Sequence, residues 1–341
     1  MPAHPRHATK LAALLLATLC TSAKADDGAA SSAAGGIVMK HEPRITMQKE
    51  ALRISTTKVQ VDYEFRNDTD KDITTEVAFP VPGYGLDWDE RSIKDQGFDD
   101  FQLTVENQPV HFDVETKAKL KGRDVSAQLK KYGVDIATFG HFNDDTHYAK
   151  DIRRLSPTQR AMLIKAGLLY PEDDQDEANW SVEKKYYWLQ TFPAHAVVHI
   201  SHEYTPVLGN SNAIGLGPTP NQDSFEAKSV CIDPSLRTQL SKLAANPENE
   251  VSISYVDFIL TTANTWKTPI EDFTLIVERP ALNLMQGSRK IKGQVFVSFC
   301  WDGPVTKLDA DHFSAHLENF IPKKEITIGF ITADDWFKGG R

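Results

Sequence analysis

Residues 58–65 (KVQVDYEF) set Val59, Val61, Tyr63 and Phe65 against Lys58, Gln60, Asp62 and Glu64. That is the two-residue period of a strand with one face buried and one in water. The same texture recurs along the chain and confines it to a sheet-built body. Residues 73–79 follow a turn-forming run, Asn67-Asp68-Thr69-Asp70-Lys71, so the two segments predict a hairpin. Pro80 and Pro82 end it, because proline gives no N–H to a ladder. Residues 101–105 and 110–114 bracket Asn107-Gln108-Pro109 as another hairpin, and residues 185–192 and 197–204 flank Pro193 as two more strands. Five short strands then fall at 251–261, 273–277, 294–299, 312–317 and 325–331, a spacing that predicts a second sandwich.

Helical signals interrupt this pattern. Between about 115 and 179, Asp124 can cap a helix over 125–132 that Gly133 ends. Ser156-Pro157-Thr158-Gln159 supplies an N-cap, a first-turn proline and the glutamine of a capping box, and Gly167 closes that helix. Residues 172–177 (EDDQDE) hold five carboxylates but no glycine at a tight bend, so a solvated loop is favoured over a calcium loop. Asp233-Pro234 opens a further helix with Leu236, Leu240 and Leu243 on one face. The expected organisation is a mainly β protein of two β-sandwich domains. Residues 37–208 form the first, with a helical insertion at about 115–179. Residues 209–224, rich in Gly, Pro, Asn and Ser, form a linker, and 225–341 form the second sandwich with one helix.

The first twenty-five residues speak to location. Arg6 and Lys10 precede a ten-residue apolar run at 11–20, and Ala23-Lys24-Ala25 has the small–x–small pattern of a signal-peptidase site. Ten residues of helix span about 15 Å, half a bilayer core, so the run is a removable signal cut after Ala25 rather than a membrane anchor. Leu19 before Cys20 is too bulky for a lipoprotein signal. The expectation is an exported chain, periplasmic or secreted, that begins with a flexible lead-in at 26–36 and carries no membrane span. Loss of the leader's three cations takes the formal net charge from −9 to −12, which disfavours nucleic acid and anionic lipid as partners. Cys231 and Cys300 remain after Cys20 departs. In an oxidising compartment they most simply form one bridge, the alternative being two separate buried or reactive thiols.

Catalytic and metal signals are sparse. His195, His199, His202 and Glu203 cluster in sequence, but on a strand residues four apart lie about 13 Å from one another, too far for one metal. No metal or other cofactor is therefore expected. There is no G-x-S-x-G elbow and no P-loop. Acidic pairs such as Asp87 and Asp89, Asp99 and Asp100, or Asp334 and Asp335 are abundant enough to arise without purpose. The better binding signal is aromatic: Trp88 and Tyr84 lie in a polar loop at 83–97 among carboxylates, where a ring can stack on a sugar or clasp a cation. The bland reading has Trp88 plugging the sandwich end. Trp188, Trp266 and Trp301 read as core or corner residues.

Several landmarks in order resemble a known family: Ala34-Gly35-Gly36-Ile37, Val77-Ala78-Phe79-Pro80-Val81-Pro82, and Tyr187-Trp188-Leu189-Gln190-Thr191-Phe192-Pro193-Ala194. His202-Glu203-Tyr204-Thr205-Pro206-Val207-Leu208-Gly209 and Thr265-Trp266-Lys267-Thr268-Pro269-Ile270 continue the series. This succession resembles the exported bacterial family known as domain of unknown function 4424. Cys231 before Ile232-Asp233 and Cys300 after Phe299 match the family's cysteines, which favours the bridge, whereas Asp26-Asp27-Gly28 departs from its Asn-Asp-Ser lead-in. The resemblance implies no activity. Phe65-Arg66-Asn67-Asp68-Thr69, with the Phe-Pro-Val-Pro and Phe-Pro-Ala motifs, is also similar to the vault/inter-α-trypsin module. That likeness implies a single β-sandwich holding the helical insertion.

Three functions fit. The leading one is a non-enzymatic binding or scaffold module of the cell envelope with a protein or glycan partner, Trp88, Tyr84 and His202 being the candidate binding residues. The alternative is a periplasmic hydrolase with a carboxylate/histidine site between the domains, near His202 and Glu203. The third is a purely structural envelope component.

Overall fold

A computed structural model describes residues 27–33, 36–85, 98, 100–136, 155–171, 176–211, 214–246, 250–281 and 293–334. Along the chain the strands are β1 (Gly28–Ala33), β2 (Gly36–Met39), β3 (Ile45–Ile54), β4 (Val59–Asn67), β5 (Ile73–Pro80), β6 (Tyr84–Gly85), β7 (Gln102–Val105), β8 (Gln108–Pro109), β9 (Asp113–Leu120) and β10 (Arg123–Asp124). Helices α1 (Ser126–Lys131) and α2 (Pro157–Lys165) precede β11 (Leu169–Pro171), β12 (Asp176–Ala178), β13 (Ser181–Phe192), β14 (Val197–Tyr204) and β15 (Gly209–Ser211). After helices α3 (Phe225–Ser229) and α4 (Pro234–Ala244) come β16 (Glu250–Phe258), β17 (Ile270–Glu278), β18 (Gly293–Phe299), β19 (Thr306–Lys307), β20 (His312–Phe320) and β21 (Ile326–Asp334).

The protein is mainly β, as the alternating pattern predicts. A seven-stranded sheet runs β10-β9-β13-β5-β1-β2, with β6 joined to β13, and an eight-stranded sheet runs β19-β20-β17-β3-β4-β14-β7-β8. A four-stranded sheet, β15-β16-β21-β18, and the ribbon β11-β12 complete it. Inward residues of the three large sheets meet in one core. Phe79, Trp188 and Phe192 come from the first, Phe65, Ile200 and Phe273 from the second, and Phe258 and Phe330 from the third. Each such side chain contributes roughly 1.5–3 kcal/mol by leaving water. The other face of the four-stranded sheet lies under α3 and α4, where Ile253 and Ile331 meet Val230, Leu236 and Leu240.

Several expectations change at the level of pairing. Strands β4 and β5 do not form a hairpin; they belong to different sheets, β4 beside β3 and β14, β5 beside β1 and β13. Asn67 makes that crossing possible. Its buried amide donates to the carbonyls of Lys71 and Phe192, and its Oδ1 accepts from the amide and hydroxyl of Thr69. Those bonds satisfy backbone that a hairpin ladder would otherwise pair. The chain crosses again at Pro193, between β13 and β14, and the two crossings join through the Asn67 amide and the Ala196 carbonyl (3.1 Å). Of the second expected hairpin, β7 and β8 pair, but residues 113–120 leave as β9 for the seven-stranded sheet.

The sheets pack in a β-sandwich-like arrangement. Strand β17 lies parallel to β3, from Asp272↔Lys49 to Val277↔Ile54, so strands from both sides of the 209–224 segment share one sheet. Within the segment β15 pairs with β16 and Ile214 is buried. The C-terminal part holds two helices rather than one, α3 capped by Ser224 and α4 capped by Asp233. The lead-in is ordered structure too. Strand β1 is wedged between β5 and β2, and Ala29 and Ala30 are fully buried. Small residues are required there: a Cβ on Gly28 would lie 2.1 Å from Met39 Cε and 3.0 Å from Thr265 Oγ1.

Within the insertion α2 starts with the full capping box on Ser156. Helix α1 starts at Ser126, where Asp124 accepts from the Ser126 amide and hydroxyl. Leu129, Leu163, Trp180 and Val182 form a small core of their own. The acidic run is not wholly a loop, since Asp176–Ala178 pairs with Leu169–Pro171; its residues 172–175 lie outside the described residues.

Cys231 and Cys300 are bonded, with Cα atoms 4.9 Å apart, and staple the turn between α3 and α4 to the end of edge strand β18. The bridge spans 69 residues, and closing a loop of that size is worth about 4 kcal/mol on the chain-entropy estimate. Urea denaturation of the Cys231→Ser/Cys300→Ser variant is expected to show stability lower by about 4 kcal/mol. An unchanged midpoint would show that the staple constrains nothing.

Candidate functional site

The histidine-rich strand β14 disperses its side chains rather than gathering them. His195, in the turn before it, meets Asp70 at 2.9 Å, and His199 meets Glu106 at 3.2 Å, both at the surface. His202 faces the core, and Glu203 faces water, where it pairs with Lys58. Among the described residues no three His, Cys, Asp or Glu side chains gather as a metal set.

His202 is fully enclosed. Its Nε2 lies 3.1 Å from an oxygen of Asp27, and neither side chain has any exposure. The rings of Tyr63, Phe79, Phe101 and Trp188 surround the imidazole at 4.7–5.6 Å between centroids. Burial raises the Asp27 carboxyl above its usual range against the opposing pull of His202. Trp266 donates its indole N–H to the Asp27 carbonyl (2.6 Å), and Thr265 Oγ1 accepts from the Ala29 amide (3.1 Å). The dyad thus fastens the start of β1 into the core. A ligand in solution does not reach His202, and Glu203 points to the opposite face, so the two do not converge on a substrate.

The aromatic signal leads elsewhere. Tyr84 sits in β6, the two-residue strand held by Ser181 and Val182 of β13. Phe98 packs edge-on against Tyr84 (5.7 Å) and Tyr204 (5.4 Å). It holds a left-handed backbone (φ 67°), and its carbonyl accepts from the Tyr186 hydroxyl. Such a conformation persists in a non-glycine residue only when its surroundings enforce it. From the four-stranded sheet comes Tyr255, paired across from Gly209; a Cβ on Gly209 would lie 2.0 Å from the tyrosine ring, so only glycine lets the ring lie flat there.

These groups line a cleft of about 210 Å³ walled by β6 of the seven-stranded sheet and β15 and β16 of the four-stranded sheet, with Val207 and Leu208 on the chain leaving β14. Among the described residues Asp257 of β16 is its one charged lining residue. Its side chain is exposed and accepts a hydrogen bond from Thr327 Oγ1 at 2.6 Å. Desolvation by the surrounding protein raises its pKa above the usual carboxylate value. Asn210 is already engaged, donating to the Leu208 carbonyl and accepting from Ser254. A concave site with three aromatic residues and, among its described lining, a single charged group is suited to binding and orienting a small molecule.

A second recess, about 610 Å³, lies on the open face of the eight-stranded sheet. Its lining is mainly acidic, Glu64, Glu271, Asp272 and Glu318 against Lys49 and His316; Lys49 pairs with Glu64 (3.7 Å) and His316 meets Asp272 (2.9 Å) on an open, solvated face. Of the residues expected to bind, Tyr84 lines the cleft, His202 is locked in the core, and Trp88 lies outside the described residues, as does Ala25. Sequence reading missed Tyr255, Phe98 and Asp257. The alternation of 251–258 marks a strand but not which polar position faces a recess. Trp188 and Trp266 are core residues as expected, and Trp301 packs against Phe273.

A family model described as Domain of unknown function (DUF4424) matches residues 25–328. No curated protein matches the chain. Among solved structures, one titled as a "putative nutrient binding protein" from Legionella pneumophila subsp. pneumophila is 14% identical with a TM-score of 0.38, over 85% of this chain and 68% of that one. Among the described residues no helix is long and apolar enough to cross a membrane.

Two outcomes follow from this geometry. His202→Leu strands a buried carboxyl and is expected to cost on the order of 3–5 kcal/mol in urea denaturation, with Asp27→Leu/His202→Leu recovering part of the loss. A cost below about 1 kcal/mol would show that the dyad does not anchor β1. Because the Asp257 pKa is raised in the folded state, its contribution to stability is present at low pH and is lost as pH rises through the folded value. Carboxyl ¹³C NMR is expected to place its midpoint above 3.8; a midpoint at or below that value contradicts the desolvated recess.

Proposed function

The chain belongs to the family of unknown function (DUF4424) whose model it matches over residues 25–328, and from that premise we propose that it is an exported envelope module that binds a small ligand without transforming it. What carries this reading is the cleft: strands of the seven- and four-stranded sheets form a concave recess with three aromatic residues, and its described lining holds one carboxylate and no nucleophile–base pair. Export is supported by the cationic head, short apolar run and Ala23-Lys24-Ala25 exit. The family match also begins at residue 25, where the leader is expected to be cut. Asp27, two residues beyond that cut, is a core residue, so processing leaves the anchoring strand at the very start of the mature chain.

The hydrolase alternative placed its chemistry near His202 and Glu203, and nothing in the geometry favours it. One side chain is enclosed by rings and the other is paired at the surface on the opposite face of the strand.

Gly83 offers a test, because it lines the cleft and a Cβ there meets nothing closer than 3.6 Å, so a bulky side chain alters the wall without a backbone clash. Protein exported from the full-length gene and purified from periplasm is heat-denatured, and the released small molecules are identified by mass spectrometry. The wild type is expected to release a species that Gly83→Phe does not carry, and N-terminal sequencing is expected to begin at Asp26. Identical release from both proteins would sink the cleft, and an intact Met1 in the isolated protein would sink export.

A further inference from the structure

Resting on the reading of this cleft as a binding site, we propose that its ligand is a small organic cation, an ammonium compound the size of choline or a short diamine. Among the described residues Asp257 is the cleft's one charged group and no cation pairs with it; the Thr327 hydroxyl is its polar partner. The side chain is exposed, so a cation reaches it from solution, and the protein wall beside it displaces part of the water that would screen the attraction. The same recess presents Tyr84, Phe98 and Tyr255, whose ring faces favour a cation at about 6 Å or less. The whole chain carries a formal charge of −9, which steers cations toward it.

The other small-molecule classes fit less well. An anion would meet Asp257 with no lysine, arginine or histidine among the described lining residues to offset it. A saccharide needs donors and acceptors for many hydroxyls; the described lining offers those of Tyr84, Tyr255 and Asp257, while the amide of Asn210 is spent on Leu208 and Ser254. The volume of about 210 Å³ falls below the roughly 300–1,000 Å³ of sites for drug-sized molecules, so the cation is compact. Asp257 and the rings would then divide the work, the carboxylate neutralising the ammonium while the rings cover its methyl or methylene groups.

The experiment is calorimetric titration of the protein purified from periplasm after export of the full chain, with choline and putrescine as probes and glucose and acetate as comparators. Saturable binding of choline or putrescine is expected, weakened at least tenfold by Asp257→Asn and abolished by Gly83→Phe, with the thermal midpoint of Asp257→Asn within a few degrees of wild type. If glucose binds in a Gly83-dependent way and neither cation does, the cation assignment falls while the cleft stands as a binding site. If a cation binds but neither substitution changes its affinity, the cleft is not the site and both readings fail. If neither cation binds at all, the cation assignment is overturned.

Discussion

The hydrogen bond between Asp27 and His202 fixes more of this molecule than any other single contact. Two ionisable groups without access to water hold each other at 3.1 Å inside a cage of aromatic rings, where either alone would be costly. Asp27 heads β1, His202 sits mid-strand in the eight-stranded sheet, and Trp266 binds the Asp27 carbonyl from the segment that leads into β17. One polar knot therefore joins the start of the described chain, its middle and its C-terminal third. Everything packed around it, including the position of the four-stranded sheet, inherits that constraint.

Which strand lies beside which was less legible than which residues face inward. Alternation reveals which residues face inward but not which strand lies alongside. The five C-terminal strands are present close to where the pattern places them, yet β17 and β20 extend the eight-stranded sheet while β16, β18 and β21 build the four-stranded one. The same limit hides the crossing at Asn67: its turn chemistry is plain in sequence, but a hairpin and a crossing between sheets use the same residue types. The small residues at 28–33 looked like a flexible lead-in because low side-chain bulk suits a linker. It suits equally a strand pressed beneath Met39 and Thr265.

Local chemistry was more legible. The capping box at Ser156, the Asp233 cap and the pairing of Cys231 with Cys300 all match the sequence reading, because each is decided by residues a few positions apart or by how few cysteines the chain holds. Of the candidate site, only Tyr84 could be named in advance. Phe98, Tyr255 and Asp257 become neighbours where the seven- and four-stranded sheets meet, and no short-range pattern records that meeting.

A recess so placed would couple ligand binding to the seven- and four-stranded sheets at once, whereas the recess near His316 is lined by the eight-stranded sheet alone. Hydrogen–deuterium exchange with and without choline tests this most directly. The amides of Tyr84–Gly85 and Gly209–Ser211, which belong to different sheets, are predicted to slow together while those of β20 do not change. Slowing confined to β20, or to one wall of the cleft, would contradict it.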